Sequence, residues 1–132
     1  MSKESKKKKV LVVDDEPDNA SVFSMGLEDH EFEVDTFIDP LLALAAFKAG
    51  KRYDILLLDI KMPDMDGFEL YNKIKEIDDK AKVCFLTAFG EGYHEEFRKR
   101  FSASSSAPPS DATFVRKPIR LDDLVKKVNE IT

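Results

Sequence analysis

Three uninterrupted apolar runs constrain this chain more than any other feature: "VLVV" at 10–13, "ILLL" at 55–58 and "VCFL" at 83–86. A strand with one wet face alternates apolar and polar residues. These runs do not alternate, so each is expected to be covered on both faces, as in the middle of a parallel sheet. Two further segments, "FEVDTF" at 32–37 and "TFVRKP" at 113–118, interleave polar residues and suit the sheet's edges. Helical patterns separate the runs. Pro17 fits a first helical turn, where its missing N–H costs nothing. Val22, Phe23, Gly26 and Leu27 give that helix an apolar face. Asp39 and Pro40 read as N-cap and first position of a second helix, which "LLALAAFKAG" carries to a stop at Gly50. Phe68, Tyr71, Ile74 and Ile77 recur at helical spacing behind Asp66, a capping acid. A fourth helix is predicted over 91–101, and a fifth is lined by Leu121, Leu124, Val125, Val128 and Ile131. Five strands alternating with five helices predict an α/β fold with one parallel sheet covered on both faces. A doubly wound five-stranded sheet in the order 2-1-3-4-5 is consistent with these inner and edge strands.

At 132 residues the chain suits one domain, with 1–8 a flexible basic tail and 9–132 the folded unit. A net charge of -5 argues against nucleic-acid binding. The lysines at 6–9 have no interleaved aromatic residue and read as a solvated tail. Cys84 is the only cysteine and lies inside an apolar run, so it reads as core and excludes a disulfide framework. Nothing approaches the roughly 20 apolar residues of a membrane span, and no signal segment follows the lysines. The expectation is a cytoplasmic protein with neither nucleic acid nor membrane as partner.

In such a sheet, sites form outside the carboxyl ends of the strands. The first strand ends in Asp14 and Asp15, the third in Asp59, the fourth in Thr87 and the fifth in Lys117. Two carboxylates about 4 Å apart repel by roughly 4 kcal/mol at an effective dielectric near 20. Lys117 offsets one of the three negative charges, and a divalent cation meets the remaining deficit. All-oxygen ligands favour a hard ion, Mg²⁺ first, with Mn²⁺ as its substitute. A metal, an ammonium, a hydroxyl and a spare carboxylate together suit a phosphoryl group, with the carboxylate attacking phosphorus.

"VLVVDDE", "LLLDIKMPDMDGFEL", "FLTA" and "FVRKP" resemble the receiver domain of two-component response regulators, with its flavodoxin-like sheet, over nearly the whole chain. The resemblance implies that Asp59 accepts phosphate from a phosphohistidine on a sensor histidine kinase or phosphotransfer protein. It implies that Asp15 binds Mg²⁺ directly, Asp14 through water, and the Lys61 carbonyl completes the protein ligands. Lys117, Thr87 and Ala88 would meet the phosphoryl group, Thr87 swinging to bond it and Phe114 turning inward as the switch aromatic. A cis peptide between Lys117 and Pro118 is implied as well, the minority form at roughly 5–6% of X–Pro bonds. Lys61 and Phe89, each two past a site residue, flank the path of a hydrolytic water and are expected to slow phosphate loss.

Plainer and competing readings stand beside these. "DMDG" lacks the later ligands of a calcium loop, leaving Asp64 a solvated acid and Asp66 a cap, with Gly67 easing the turn. His30 and His94 have no catalytic partner and read as exposed; Tyr93, Phe97 and Phe101 read as packing. A Mg²⁺-dependent aspartyl phosphohydrolase of the haloacid dehalogenase type places its two acids two apart, whereas Asp14 and Asp15 are adjacent. A receiver-like docking module independent of phosphate is the other alternative. It draws on "SASSSAPPSDA", which lengthens the interval between Thr87 and Lys117 beyond what receivers commonly show and makes 102–110 a mobile loop. No linker or output segment follows the last helix in this sequence, which leaves a single-domain regulator and a piece of a larger protein both open.

Overall fold

The structure is a computed structural model that describes residues 7–87, 113–117 and 119–132, with Thr87 described by its backbone. Strands β1 (Lys9–Val13), β2 (Glu33–Phe37), β3 (Ile55–Asp59), β4 (Lys82–Thr87) and β5 (Thr113–Arg116) form one sheet. All pairs are parallel, in the order β2-β1-β3-β4-β5. The described helices are α1 (Pro17–Asp29), α2 (Pro40–Lys48), α3 (Gly67–Ile77) and α4 (Leu121–Ile131). The helix expected over 91–101 lies outside the described residues, with His94, Tyr93, Phe97, Phe101 and the 102–110 segment.

The apolar runs divide by strand parity into two cores. Leu11, Val13, Leu56, Leu58, Val83 and Phe85 point to one face, where Phe47 of α2 and Phe68, Tyr71 and Ile74 of α3 cover them. Val10, Val12, Ile55, Leu57, Cys84 and Leu86 point to the other, beneath Phe23 and Leu27 of α1 and Leu124 and Val128 of α4. Every side chain of β3 is buried, which is why its sequence shows no alternation. Each fully buried Leu or Ile contributes roughly 1.5–3 kcal/mol, so this central strand is anchored from both sides. The edge strands β2 and β5 are only partly covered, as their interleaved residues require.

Local chemistry sets the helix starts. Pro17 opens α1, and the Asp39 carboxylate accepts the Leu41 N–H at 2.9 Å ahead of Pro40. Gly50, at φ +108, ends the turn after α2 in a conformation few side chains adopt. Val22 departs from expectation: the buried face of α1 is Ala20, Phe23, Gly26 and Leu27, and Val22 is 56% exposed. At about 100° per residue, the position before Phe23 already turns toward water. Gly26 has a different role from the one its apolar neighbours suggest. A Cβ there would overlap the Leu121 side chain, so glycine lets α4 approach α1.

Candidate functional site

Parallel register brings the acids together. Val13 of β1 lies across from Leu58 of β3, so Asp14 and Asp59, each one residue further on, leave the sheet side by side. The Asp14 N–H donates to the Phe37 carbonyl at 3.1 Å, tying this exit to β2. Asp14 is fully buried and Asp59 is 6% exposed, the only buried charged residues among those described. One carboxylate oxygen from each of Asp14, Asp15 and Asp59 lies within 4.8 Å of the others.

Lys117 supplies the counter-charge from just past β5. Its Nζ donates to Asp14 Oδ2 at 3.0 Å and sits 3.5 Å from Asp59 Oδ1 and 3.9 Å from Glu16 Oε1. The other Asp14 oxygen, Oδ1, accepts the Glu16 N–H at 3.0 Å. Burial first, then the Asp14 charge, pushes the Asp59 carboxyl up from 3.8 to about 7. Lys117 pulls it back, and the hydrogen bond and charge of Asp15 raise it further. Burial alone would lower the Lys117 ammonium, but the Asp14 hydrogen bond and the Asp59 and Asp14 charges outweigh it, and its pKa rises. Three facing carboxylates against one ammonium form an oxygen donor set that fits a hard divalent cation.

The loop after Asp59 is built to hold it. The Ile60 N–H donates to the Leu86 carbonyl at 3.0 Å, and the Gly67 N–H returns to the Ile60 carbonyl at 2.8 Å. Met62 and Met65 are buried beneath this loop, while Asp64 takes φ 70 at its exposed tip. Asp tolerates the left-handed region better than most residues. Asp66 Oδ1 accepts the Glu69 N–H at 2.9 Å and caps α3, as expected. Gly67 is needed for close approach, not for an unusual turn: a Cβ there would stand 2.5 Å from the Asp59 carbonyl oxygen and 3.0 Å from Ile60 Cα.

The remaining expected residues fall into place unevenly. Thr87 ends β4 across from Arg116, which brings its backbone to the same rim. Ala88, Phe89 and Pro118, and with it the expected cis peptide, lie outside the described residues. Phe114 is half-buried and stacked on Phe85, ring centroids 5.4 Å apart at 24°. Lys61 is exposed on the acidic loop. His30 is exposed and its Nδ1 lies 3.0 Å from the Gly26 carbonyl, an end-of-helix contact. Sequence reasoning missed Glu16, although "DDE" placed it beside the cluster, and it missed the packing role of Gly67, which no local pattern announces.

Comparison with known proteins agrees with this geometry. The model of the response regulator receiver domain matches residues 10–129. The response regulator receiver protein CpdR of Brucella abortus is 31% identical over 124 residues, covering 94% of this chain and 96% of that protein. The hybrid signal transduction histidine kinase L of Dictyostelium discoideum is 35% identical over 127 residues, 90% of this chain but 7% of the kinase. The chain likewise spans 43% of the Mycobacterium tuberculosis transcriptional regulatory protein TrcR, at 32% identity over 91% of this chain. Among solved structures, Thermotoga maritima TrrA in complex with Mg²⁺-BeF superposes with a TM-score of 0.74 at 32% identity, covering 95% of this chain and 99% of that one. Chemotaxis protein CheY4 of Vibrio cholerae gives 0.79 at 26% identity, covering 96% and 100%. An acid cluster at the switch point of a 2-1-3-4-5 sheet, matched along almost its whole length, places the chain in the response regulator receiver family of two-component systems.

Proposed function

We propose that Asp59 is the phosphoacceptor of this receiver domain and that its donor is a phosphohistidine on a sensor histidine kinase or phosphotransfer protein. One observation carries the assignment: Asp59 ends a wholly buried strand with its carboxylate held between Asp14, Asp15 and Lys117. In the transfer, an Asp59 oxygen bonds to phosphorus as the P–N bond to the donor imidazole breaks, and the imidazole leaves with that electron pair. Asp14 and Asp15, with Asp59 and the Lys61 carbonyl, would hold the cation, Mg²⁺ with Mn²⁺ able to substitute, since carboxylate, carbonyl and water oxygens suit both. The bound ion supplies charge neutralisation at the phosphoryl oxygens. Lys117 would exchange its Asp59 contact for a phosphoryl oxygen, and Thr87 and Ala88 would bond the same group. Movement of Thr87 would make room for Phe114, whose stacking on Phe85 is the contact that an inward turn rearranges.

On this reading the protein is a signalling switch that phosphorylates and dephosphorylates itself, and not a turnover enzyme for external substrates. No helix among the described residues is long and apolar enough to cross a membrane. On the proposed reading the protein acts in the cytoplasm, and its net charge of -5 argues against direct nucleic-acid binding. Incubation with Mg²⁺ and a small acyl phosphate or amidophosphate donor, read by intact mass, tests the assignment. The wild type should gain one phosphoryl group and Asp59→Asn none. Turnover of varied phosphate esters would favour a phosphohydrolase instead, and absence of any adduct a docking module. Phe89→Ala should lose phosphate faster than wild type; an unchanged rate refutes the proposed shielding by Phe89.

A further inference from the structure

Helix α2 has an outer face that its own fold does not use. Leu41 and Leu42 on the helix are 50% and 57% exposed and Ile38, just ahead of its N-cap, is 53% exposed, three of the five exposed large apolar side chains among the described residues. Ala45 and Ala49 are exposed on the same helix and its cap, while the inner face, Ala43, Leu44 and Phe47, is buried. A surface helix is ordinarily apolar on one stripe and polar on the other; one that is apolar all round is normally covered on both sides. The other two exposed residues, Val22 and Met25, lie on α1, whose outer side is otherwise polar or charged.

The charges at the two ends of this face name the occupant. Asp39 stands at the N-terminus of α2, and Lys48 and Lys51 stand at its C-terminus. We infer that the outer face of α2 is the interface of a homodimer, in which two copies pair α2 against α2 in antiparallel fashion. A two-fold axis at Ala45 sets Leu41 of one copy near Ala49 of the other, and Leu42 against the alkyl stem of Lys48. The same axis brings Asp39 of each copy toward Lys51 of the other, so the patch is self-complementary in charge. Isologous contact of this kind closes as a dimer and does not propagate. Ala45 at the centre permits the short end of the 8–10 Å range of interhelical distances. A partner of uniform charge would leave one end of the face mispaired, which a second copy does not.

A nine-residue helix offers a small interface, in the class of weak and transient contacts, with dissociation on the order of 100 µM. Sedimentation velocity on the full, unphosphorylated chain from about 10 µM to about 1 mM reads this directly. The weight-average mass should climb from the monomer's 15.0 kDa toward twice that value. Leu42→Glu, at an exposed position, should hold it at the monomer throughout, and Lys51→Glu should shift the transition to higher concentration. Under mild oxidation Ala45→Cys should form a disulfide-linked dimer, because the axis brings the two residues together, whereas Lys73→Cys on exposed α3 surface should not; native Cys84 is buried. A wild-type chain still monomeric at the highest concentration overturns the inference. A Leu42→Glu chain that dimerises as the wild type does overturns it as well.

Discussion

Replacing Asp59 by Asn should stabilise the metal-free protein at pH 8, and the pH profile of that gain follows from the site. Burial and the neighbouring Asp14 charge raise the Asp59 carboxyl from 3.8 unfolded to about 7 folded. Between those values the folded state holds a proton that the unfolded state has released. Unfolding free energy therefore falls as pH rises through the window, and the loss is complete above about 7. Below about 3.8 both states are protonated and the residue contributes no pH dependence. At 1.36 kcal/mol per pH unit the ceiling is about 4 kcal/mol, and relaxation in a cleft that opens to water reduces this to roughly 1–3. The assay is urea unfolding of both proteins in chelator at intervals from pH 4.5 to pH 8.5. Their difference isolates Asp59 from every other titrating group. It should be near its minimum at the acid end and grow to its full value near pH 8. Saturating Mg²⁺ should oppose the penalty in wild type, by about 2.7 kcal/mol at a hundredfold excess over its dissociation constant, and by less in Asp59→Asn. A difference that is flat with pH, or one that grows toward acid, refutes the account of opposed carboxylates.

Three other perturbations follow from the same geometry. Lys117→Met leaves fully buried Asp14 without its cation and should cost about 3 kcal/mol in urea unfolding, with much of the loss recovered in the Asp14→Asn double variant. Gly67→Ala forces a methyl against the Asp59 carbonyl and should cost roughly 2–3 kcal/mol while slowing phosphorylation by the small donor, whereas a chain with unchanged stability and rate contradicts the close packing. Asp66→Ala removes the α3 cap and should cost about 1 kcal/mol in thermal unfolding, with Asp66→Asn retaining most of it.

Much of the molecule was legible in the chain because its signals are local or periodic. Unbroken apolar runs at 10–13, 55–58 and 83–86 required two covered faces, and the interleaved runs named the edges, with which the order 2-1-3-4-5 is consistent. Asp39 with Pro40, and Asp66 before an apolar helix, announced their helix starts through chemistry that acts over three residues. Asp14, Asp59 and Lys117 were recognisable as a group because strand ends in a parallel sheet share one rim, a rule that needs no coordinates.

What only the tertiary structure decided depends on surfaces that meet from distant parts of the chain. Gly26 reads as part of an apolar face and Gly67 as a turn residue until Leu121 and the Asp59 carbonyl are seen against them. Val22 fitted an apolar helix face by spacing, but which arc of α1 lies on the sheet is set by packing, and Val22 fell outside it. The bonds of Lys117 to Asp14 and Asp59, and the rise of the Asp59 carboxyl, need distances that differ by tenths of an ångström, and spacing in sequence carries none of these. The outer face of α2 is the clearest case. Its leucines look like core in the chain, and only the folded molecule shows that Leu41 and Leu42 stand on the surface.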